Sequence, residues 1–380
     1  MRRVAILLLI SALSLPGFAV KRVPVDQLEQ IVAAAHGKND SKLGDEIYGL
    51  ELTERLSAAR LARDLAALPG PAARQAMQSI ADIAEFLDLP AADLPATPPP
   101  DRQTEISLWN LALATSSKTI SKLPNFFATR ETAHFVDIPA EPPRNTVDTI
   151  RYAPLHEVGD ESITVLYRDG LEFLDTKGSH LGSYDPNNFQ LSTTGEFGQT
   201  LTTVLADSLH GHVFWSHWEQ GAKGQIAVFR YEVAKPDSHY TVNFRGPKQD
   251  IQFIPPYHGE IGIDSADGSL LRLTMIAELN PNGPIIKSDL LVNYGPVEIG
   301  WSTYICPLRS VALTLAREVR TNSNPSSDYQ EQYGPLQTHV NDVVFRNYHL
   351  FRAEMRILTD DASSPDGTPP PVPPPASPNP

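Results

Sequence analysis

Near Pro124 the hydrophobic period of this chain changes from 3.6 residues to 2, and that switch limits the fold more than any other feature of the sequence. Beyond it apolar and polar residues alternate. Tyr240, Val242 and Phe244 are interleaved with Thr241, Asn243 and Arg245; Leu271, Leu273, Met275, Ala277 and Leu279 with Arg272, Thr274 and Glu278. Val311, Leu313, Leu315 and Val319, then Phe351, Ala353, Met355 and Ile357, continue the pattern. Side chains of a strand point to opposite faces in turn, so the alternation describes an antiparallel sheet with one face buried and one wet. Roughly ten such strands fit between Phe126 and Leu358. Arg168-Asp169-Gly170, Asp267-Gly268 and Asn282-Gly283 separate them, and these residues suit tight hairpin turns. One amphipathic helix interrupts the strands. Thr193 and Glu196 have the spacing of a capping box, and Phe197, Leu201, Val204 and Leu205 form an apolar stripe. A helix laid across a bent sheet encloses an apolar concavity. The expected fold class is therefore α+β: an N-terminal helical region, then a curved antiparallel β-sheet, an incomplete barrel, with a covering helix.

Ahead of the switch, residues 20–89 read as helices. Val25, Leu28, Ile31, Val32 and Ala35 share one helical face, and Gly37 stops it. A second helix is expected over 53–68, with Thr53 as its cap and Leu61, Leu65 and Leu68 as its stripe. Gly70 closes it and Pro71 opens a third, which carries Met77, Ile80, Ala84 and Leu87. Residues 90–103 form a proline-rich linker with Pro90, Pro95, Pro98, Pro99 and Pro100, stiff and without helix donors. From Thr104 a helical pattern resumes through Ile106, Trp109, Leu113 and Ile120 and feeds the β domain, which is expected to extend to residue 360. Residues 361–380 are expected to be a disordered proline-rich tail.

Residues 1–19 have the plan of a secretory signal peptide: Arg2 and Arg3, a twelve-residue apolar run from Val4 to Leu15, then Pro16 and small residues before a cleavage point. The run is too short to span a bilayer comfortably. The mature protein is expected to be secreted or periplasmic, with no transmembrane span once the signal is removed. Its loss deepens the net charge from −14 to −16. Such a charge opposes nucleic-acid binding, which needs a basic footprint. Cys306, the single cysteine, lies in an apolar strand and reads as a small buried hydrophobe; no intramolecular disulfide can form.

Chemical motifs are sparse. His210, His212 and His217 are weak candidates for metal ligation, because residues i and i+2 of a strand project from one face while His217 requires a bulge to join them. His258, Glu260 and Asp264 are candidates for acid–base work in a hydrolase, although Asp264 and Asp267 also suit a hairpin turn. No Gly-x-Ser-x-Gly, phosphate-cradling glycine loop or His-Glu-x-x-His is present. No cofactor and no enzymatic activity are expected.

The layout of Leu123-Pro124-Asn125-Phe126, Thr194-Gly195-Glu196-Phe197-Gly198 and Tyr257-His258-Gly259 resembles a family of uncharacterised secreted bacterial proteins, in which a helical region precedes a β domain; that resemblance implies no activity. More loosely, the helix feeding the strand at Leu123–Phe135 and the Gly259–Asp264 and Leu270–Leu273 segments resemble the outer-membrane lipoprotein carrier and receptor fold. That likeness implies a half-open barrel holding acyl chains. On the concave face the expected ligand-binding residues are Phe197, Leu201, Tyr240, Val242, Phe244, Leu271, Leu273 and Met275. The expected partner is a lipid or an acylated protein. An envelope interaction or scaffold module with a filled β core and an envelope protein partner is the alternative, and a hydrolase the third.

Overall fold

The computed structural model describes residues 20–35, 37–138, 153–181, 195–245, 250–320 and 332–351. The expected signal peptide, the proline tail and Thr193 of the capping box lie outside the described residues. Two layers of helix enclose one large sheet.

The N-terminal unit contains β1 (Lys21–Val23), α1 (Val25–Ala33), α2 (Asp40–Tyr48), β2 (Leu50–Leu52), α3 (Ala58–Ala67) and α4 (Pro71–Ala84). Its core of Val25, Leu28, Leu43, Ile47, Met77 and Ile80 is its own. Asn39 caps α2 by accepting from the Lys42 amide. The Asp40 carboxylate, one residue on, caps a different helix. It accepts from the amides of Ala72 and Ala73 at 3.0 and 3.1 Å, so α2 supplies the acceptor for the N-terminus of α4. A side chain at Gly70 would collide with that carboxylate. The helix expected over 53–68 begins only at Ala58, and sequence reading missed α2 and the short parallel β1–β2 ribbon.

After a 3₁₀ turn at Ala91–Asp93 comes α5 (Arg102–Lys122), N-capped by Asp101. Then follow β3 (Phe126–Ile138), β4 (Ala153–Arg168), β5 (Leu171–Leu181), α6 (Gln199–Ser208), β6 (His212–Gln220), β7 (Gln225–Val233), β8 (Val242–Arg245), β9 (Asp250–Phe253), β10 (Tyr257–Asp264), β11 (Leu270–Ala277), β12 (Ile285–Ile299), β13 (Ser302–Arg320) and β14 (Gln332–Leu350). Ten of these strands form one curved antiparallel sheet that does not close, in the order β5-β4-β3-β14-β13-β12-β11-β10-β7-β6. The fold class expected from the sequence is the one observed. The last strand pairs with the first of the sheet, so the two edges, β5 and β6, are neighbours in the chain. The connection between them carries α6.

Residues opposite one another in an antiparallel pair share a face, so the register assigns every row. Met275 lies opposite Leu290, and Leu290 opposite Ala312; these face inward with Phe229 and Tyr257, under α5 and α6. Leu291, Val311, Leu313, Val340 and Phe135 form an outward row, packed with Ile83 and Phe86 at the end of the helical unit. The expectation of one wet face is thus corrected. Val311 and Leu313 point away from Leu273 and Met275, and the helical unit covers the outer face over the middle of the sheet.

The linker is part of the structure. Its Pro98 carbonyl accepts from Trp218 Nε1 at 3.0 Å, and Thr97 Oγ1 accepts from Gln225 at 2.7 Å. It carries the chain round the β6 edge, from the outer face to α5 on the inner face. On α5 the buried line is Leu108, Ala112 and Ser116, rotated from the expected stripe; Ile106 is exposed.

Candidate functional site

A groove of about 680 Å³ lies between the second half of α5 and the start of β13. One wall is Thr115, Lys118, Thr119 and Lys122, successive residues on one face of α5; the other is Ser302, Thr303, Tyr304 and Ile305. Neither ammonium has an ion-pair partner among the described residues. Behind the groove lies a void of about 20 Å³, lined by Ser116, Ile120, Phe197, Leu201, Leu270 and Tyr294. Thr119 and Ile305 line both spaces. A polar, cationic mouth therefore stands against an apolar interior, with two side chains between them. The void holds about one water, no more.

The helices bounding this site are held unequally. The turn leading into α6 is clamped by Glu172, whose carboxylate accepts from the amides of Gly195 and Phe197 at 2.8 and 2.6 Å. Gly195 adopts φ +96°, a conformation that favours glycine. Glu196, expected as a capping residue, instead points into the sheet, 3.4 Å from Ser310 Oγ and 3.8 Å from Arg130. Burial, and then the Glu196 charge, push the Glu172 carboxyl up to about 7. Phe197 fills an aromatic cage, with ring centroids 4.9 Å from Phe345 and 5.4 Å from Phe126. At the other end of α6, buried Asp207 accepts from Tyr257 Oη at 2.8 Å and from the His239 amide at 2.9 Å, and pairs with His239 Nδ1 at 2.6 Å. By contrast, the one polar tie from α5 to the sheet in this region is Thr115 Oγ1 to the Asp267 carbonyl, 2.9 Å. Past Ala112, α5 buries only Ser116.

The residues expected to line one ligand cavity are dispersed. Leu201, Leu273 and Met275 share the inner core with Tyr240 at its margin. Phe197 belongs to the aromatic cage. Val242 packs under the separate β8–β9 ribbon with Ala277, Ile285 and Ala316. The side chain of Phe244 lies outside the described residues. Leu271 is displaced by a bulge: the register slips between Gly262 and Ile263, so Leu270 replaces it in the core.

The catalytic and metal candidates separate as well. Glu260 is bonded to Arg230 and Arg272, His258 leans on Glu278 at 3.2 Å, and Asp264 caps its own turn through the Ala266 amide. His258 and Glu260 line one cleft of about 330 Å³ with Arg230 and Asp88, and Asp264 lies outside it. The β6 strand does bulge at Ser216, which puts His212 and His217 on the same face, but five residues of strand hold them roughly 16 Å apart. His217 bonds Glu219 at 3.0 Å. Among the described residues no three His, Cys, Asp or Glu side chains could hold a metal. Sequence reading missed the His239–Asp207 pair. Its Asp207 carboxylate also accepts from Tyr257 Oη and the His239 amide, so the pair anchors the end of α6. Cys306 is buried, and burial pushes its thiol up to about 12, which suits a packing role.

On the outer face the polar rows of the strands form a continuous ion chain. Arg55 of the helical unit meets Glu219 at 2.5 Å; Arg272 bridges Glu219 and Glu260 at 2.9 and 2.8 Å; Arg230 joins Glu260 to Asp88 at 3.1 and 2.6 Å. Burial alone would raise the Glu219 carboxyl, but the His217 hydrogen bond and the Arg55 charge hold it below its ordinary range. A second node surrounds Arg309, which contacts Asp82, Asp342 and Glu85.

Comparison of the chain with protein-family models, curated proteins and solved structures found no match.

Proposed function

We propose that this is an exported, non-enzymatic binding protein for an amphiphile, a molecule with an acyl chain and an anionic head, taken up between the second half of α5 and β13. The observation that carries the reading is the shared wall: Thr119 and Ile305 separate a groove bearing two unpaired lysines from a small apolar void lined by Leu201, Leu270 and Tyr294 of the inner core. The head stays in the groove. The chain displaces the lightly held end of α5 and follows Leu201, Leu270 and Tyr294 inward. Ten buried methylenes supply roughly 8 kcal/mol.

Two measurements test this. Mass spectrometry of the purified protein is expected to find a co-purifying amphiphile, and a fluorescent long-chain fatty acid is expected to bind the emptied protein. Thr119→Trp, which blocks the passage from a partly exposed position, should weaken the probe at least tenfold without lowering Tm appreciably. A wild-type protein that carries no lipid and binds no probe would overturn the reading.

A further inference from the structure

We infer that the head group this site takes is a sugar carrying a phosphate, which rests on the amphiphile reading above and narrows it. Three features of the mouth point beyond a bare carboxylate or phosphate. The first is size. A groove of about 680 Å³ is far larger than a single small anion fills and lies in the range of sites that enclose whole drug-sized molecules. The second is the wall chemistry. Thr115, Thr119, Ser302, Thr303 and the Tyr304 hydroxyl present groups that both donate and accept, and Asp267 adds an acceptor. A polyhydroxylated ring has the same mixed character, whereas a phosphate only accepts and an ammonium only donates. Lys118 and Lys122 stand one helical turn apart on the same wall, a spacing of about 6 Å between Cβ atoms. Two such ammonium groups converge on one multi-oxygen anion and outweigh the single Asp267 charge.

The third feature is Trp301. It sits at the tip of the β12–β13 hairpin, directly before Ser302 of the groove wall, after Gly300 in the left-handed region at φ +66°. Trp301 is 95 % exposed, far above the next large apolar side chain, Leu209 at 67 %. The other three tryptophans are only partly exposed, and each has a packing or hydrogen-bond partner. A large indole exposed to water one residue ahead of a hydroxyl-lined groove wall offers a flat apolar surface with one donor. The face of a hexose, lined with C–H groups and rimmed with hydroxyls, matches it. In this arrangement the lysines take the phosphate, the hydroxyl walls take the ring oxygens, the indole covers the exposed sugar face, and the acyl chain passes Thr119 and Ile305 into the core.

The test is a binding series on the full mature chain, stripped of lipid, using four probes: an acylated disaccharide bearing one phosphate, the same molecule without phosphate, a plain fatty acid, and the unacylated disaccharide phosphate. The phosphorylated glycolipid is expected to bind at least tenfold tighter than the other three. It should also protect an exposed tryptophan from iodide quenching. Trp301→Ala should remove that protection and weaken the two glycolipids about tenfold while leaving the fatty acid unchanged. Lys118→Ala with Lys122→Ala should make the phosphorylated and unphosphorylated glycolipids equivalent. Equal affinity for glycolipid and fatty acid, with no effect of Trp301→Ala, overturns this inference and leaves the amphiphile reading standing. If the unacylated sugar phosphate binds as tightly as its acylated form, the head site holds and the amphiphile reading fails. No binding of any probe overturns both.

Discussion

The two faces of the large sheet are covered by helices in opposite ways. On the outer face the helical unit is fixed by Arg55, Arg272, Arg230 and Arg309, each hydrogen-bonded to carboxylates across or beside the seam. On the inner face the second half of α5 lies on the sheet through Ser116, partly buried Ile120 and one hydroxyl bond from Thr115. Buried ion pairs are directional, and separating them strands charges in a poor solvent. A small apolar contact can be given up for little, because the area returned to water is small. The comparison locates rigidity and freedom in one molecule: the outer seam sets the position of the helical unit, and α5 is the cover that proposed uptake displaces.

The outer seam breaks hardest at Arg309. Arg309→Met removes the cation that contacts Asp82 and Asp342 and, among the described residues, leaves Glu85 with only Arg55 near it. The expected loss is about 3–5 kcal/mol, read as a shift in urea midpoint. A loss under about 1 kcal/mol would show that the seam does not depend on this node. The same contrast warns against removing residues 20–100 to isolate the β domain. That deletion would expose Leu291, Val311 and Leu313 and unpair Arg309 from Asp82, so an inactive product would say nothing about ligand binding.

Much of this fold was legible in the sequence, and the parts that were not share a cause. Period-2 alternation identified β8, β11 and β13 because half of each strand is apolar. It could not distinguish a polar row facing water from one facing an ion-paired helical unit, so Arg272 read as part of a wet face. Bulges add one residue without a composition signal, and the one at Gly262 exchanged Leu271 for Leu270. The groove residues of α5 read as an ordinary solvated helix face; only the approach of Ser302–Ile305, nearly two hundred residues later, makes them a site. Trp301 alone leaves a visible trace, a tryptophan after glycine between two long strands.

Acidity offers a gentler probe of the seam. Burial, and then the Asp342 charge, push the Asp82 carboxyl up to about 8, above its ordinary value of 3.8. A carboxyl raised in the folded state binds its proton more tightly there than when unfolded. Its contribution is therefore complete at low pH and is lost as pH rises toward 8. Stability should increase on going from pH 8 to 7, by at most about 1.4 kcal/mol for this one proton. Asp82→Asn should flatten that slope. Below pH 6.5 the lowered His134, and His339 at about 4, oppose this gain, because neutral buried histidines disfavour acid, while Glu172 at about 7 and Asp289 at about 6 add to it. A wild-type protein that loses stability between pH 8 and 7 would contradict a protonated Asp82.

The smallest expected effect tests the loose side. Thr115→Val preserves the shape and β-branching of the side chain and deletes only the hydroxyl that donates to the Asp267 carbonyl at 2.9 Å. A neutral hydrogen bond at a half-exposed position contributes about 0.5–1 kcal/mol net, so the global urea midpoint should move little. The local consequence is larger in proportion, because among the described residues this bond is the sole polar tie between that half of α5 and the β10–β11 turn. Amide exchange over residues 116–122 should accelerate several-fold, and the acyl probe should associate faster. Exchange in α6, held by Glu172 at one end and Asp207 at the other, should not change. If α6 instead loosens while α5 stays protected, the two inner helices have exchanged roles, and the displaced cover is the one that carries Phe197.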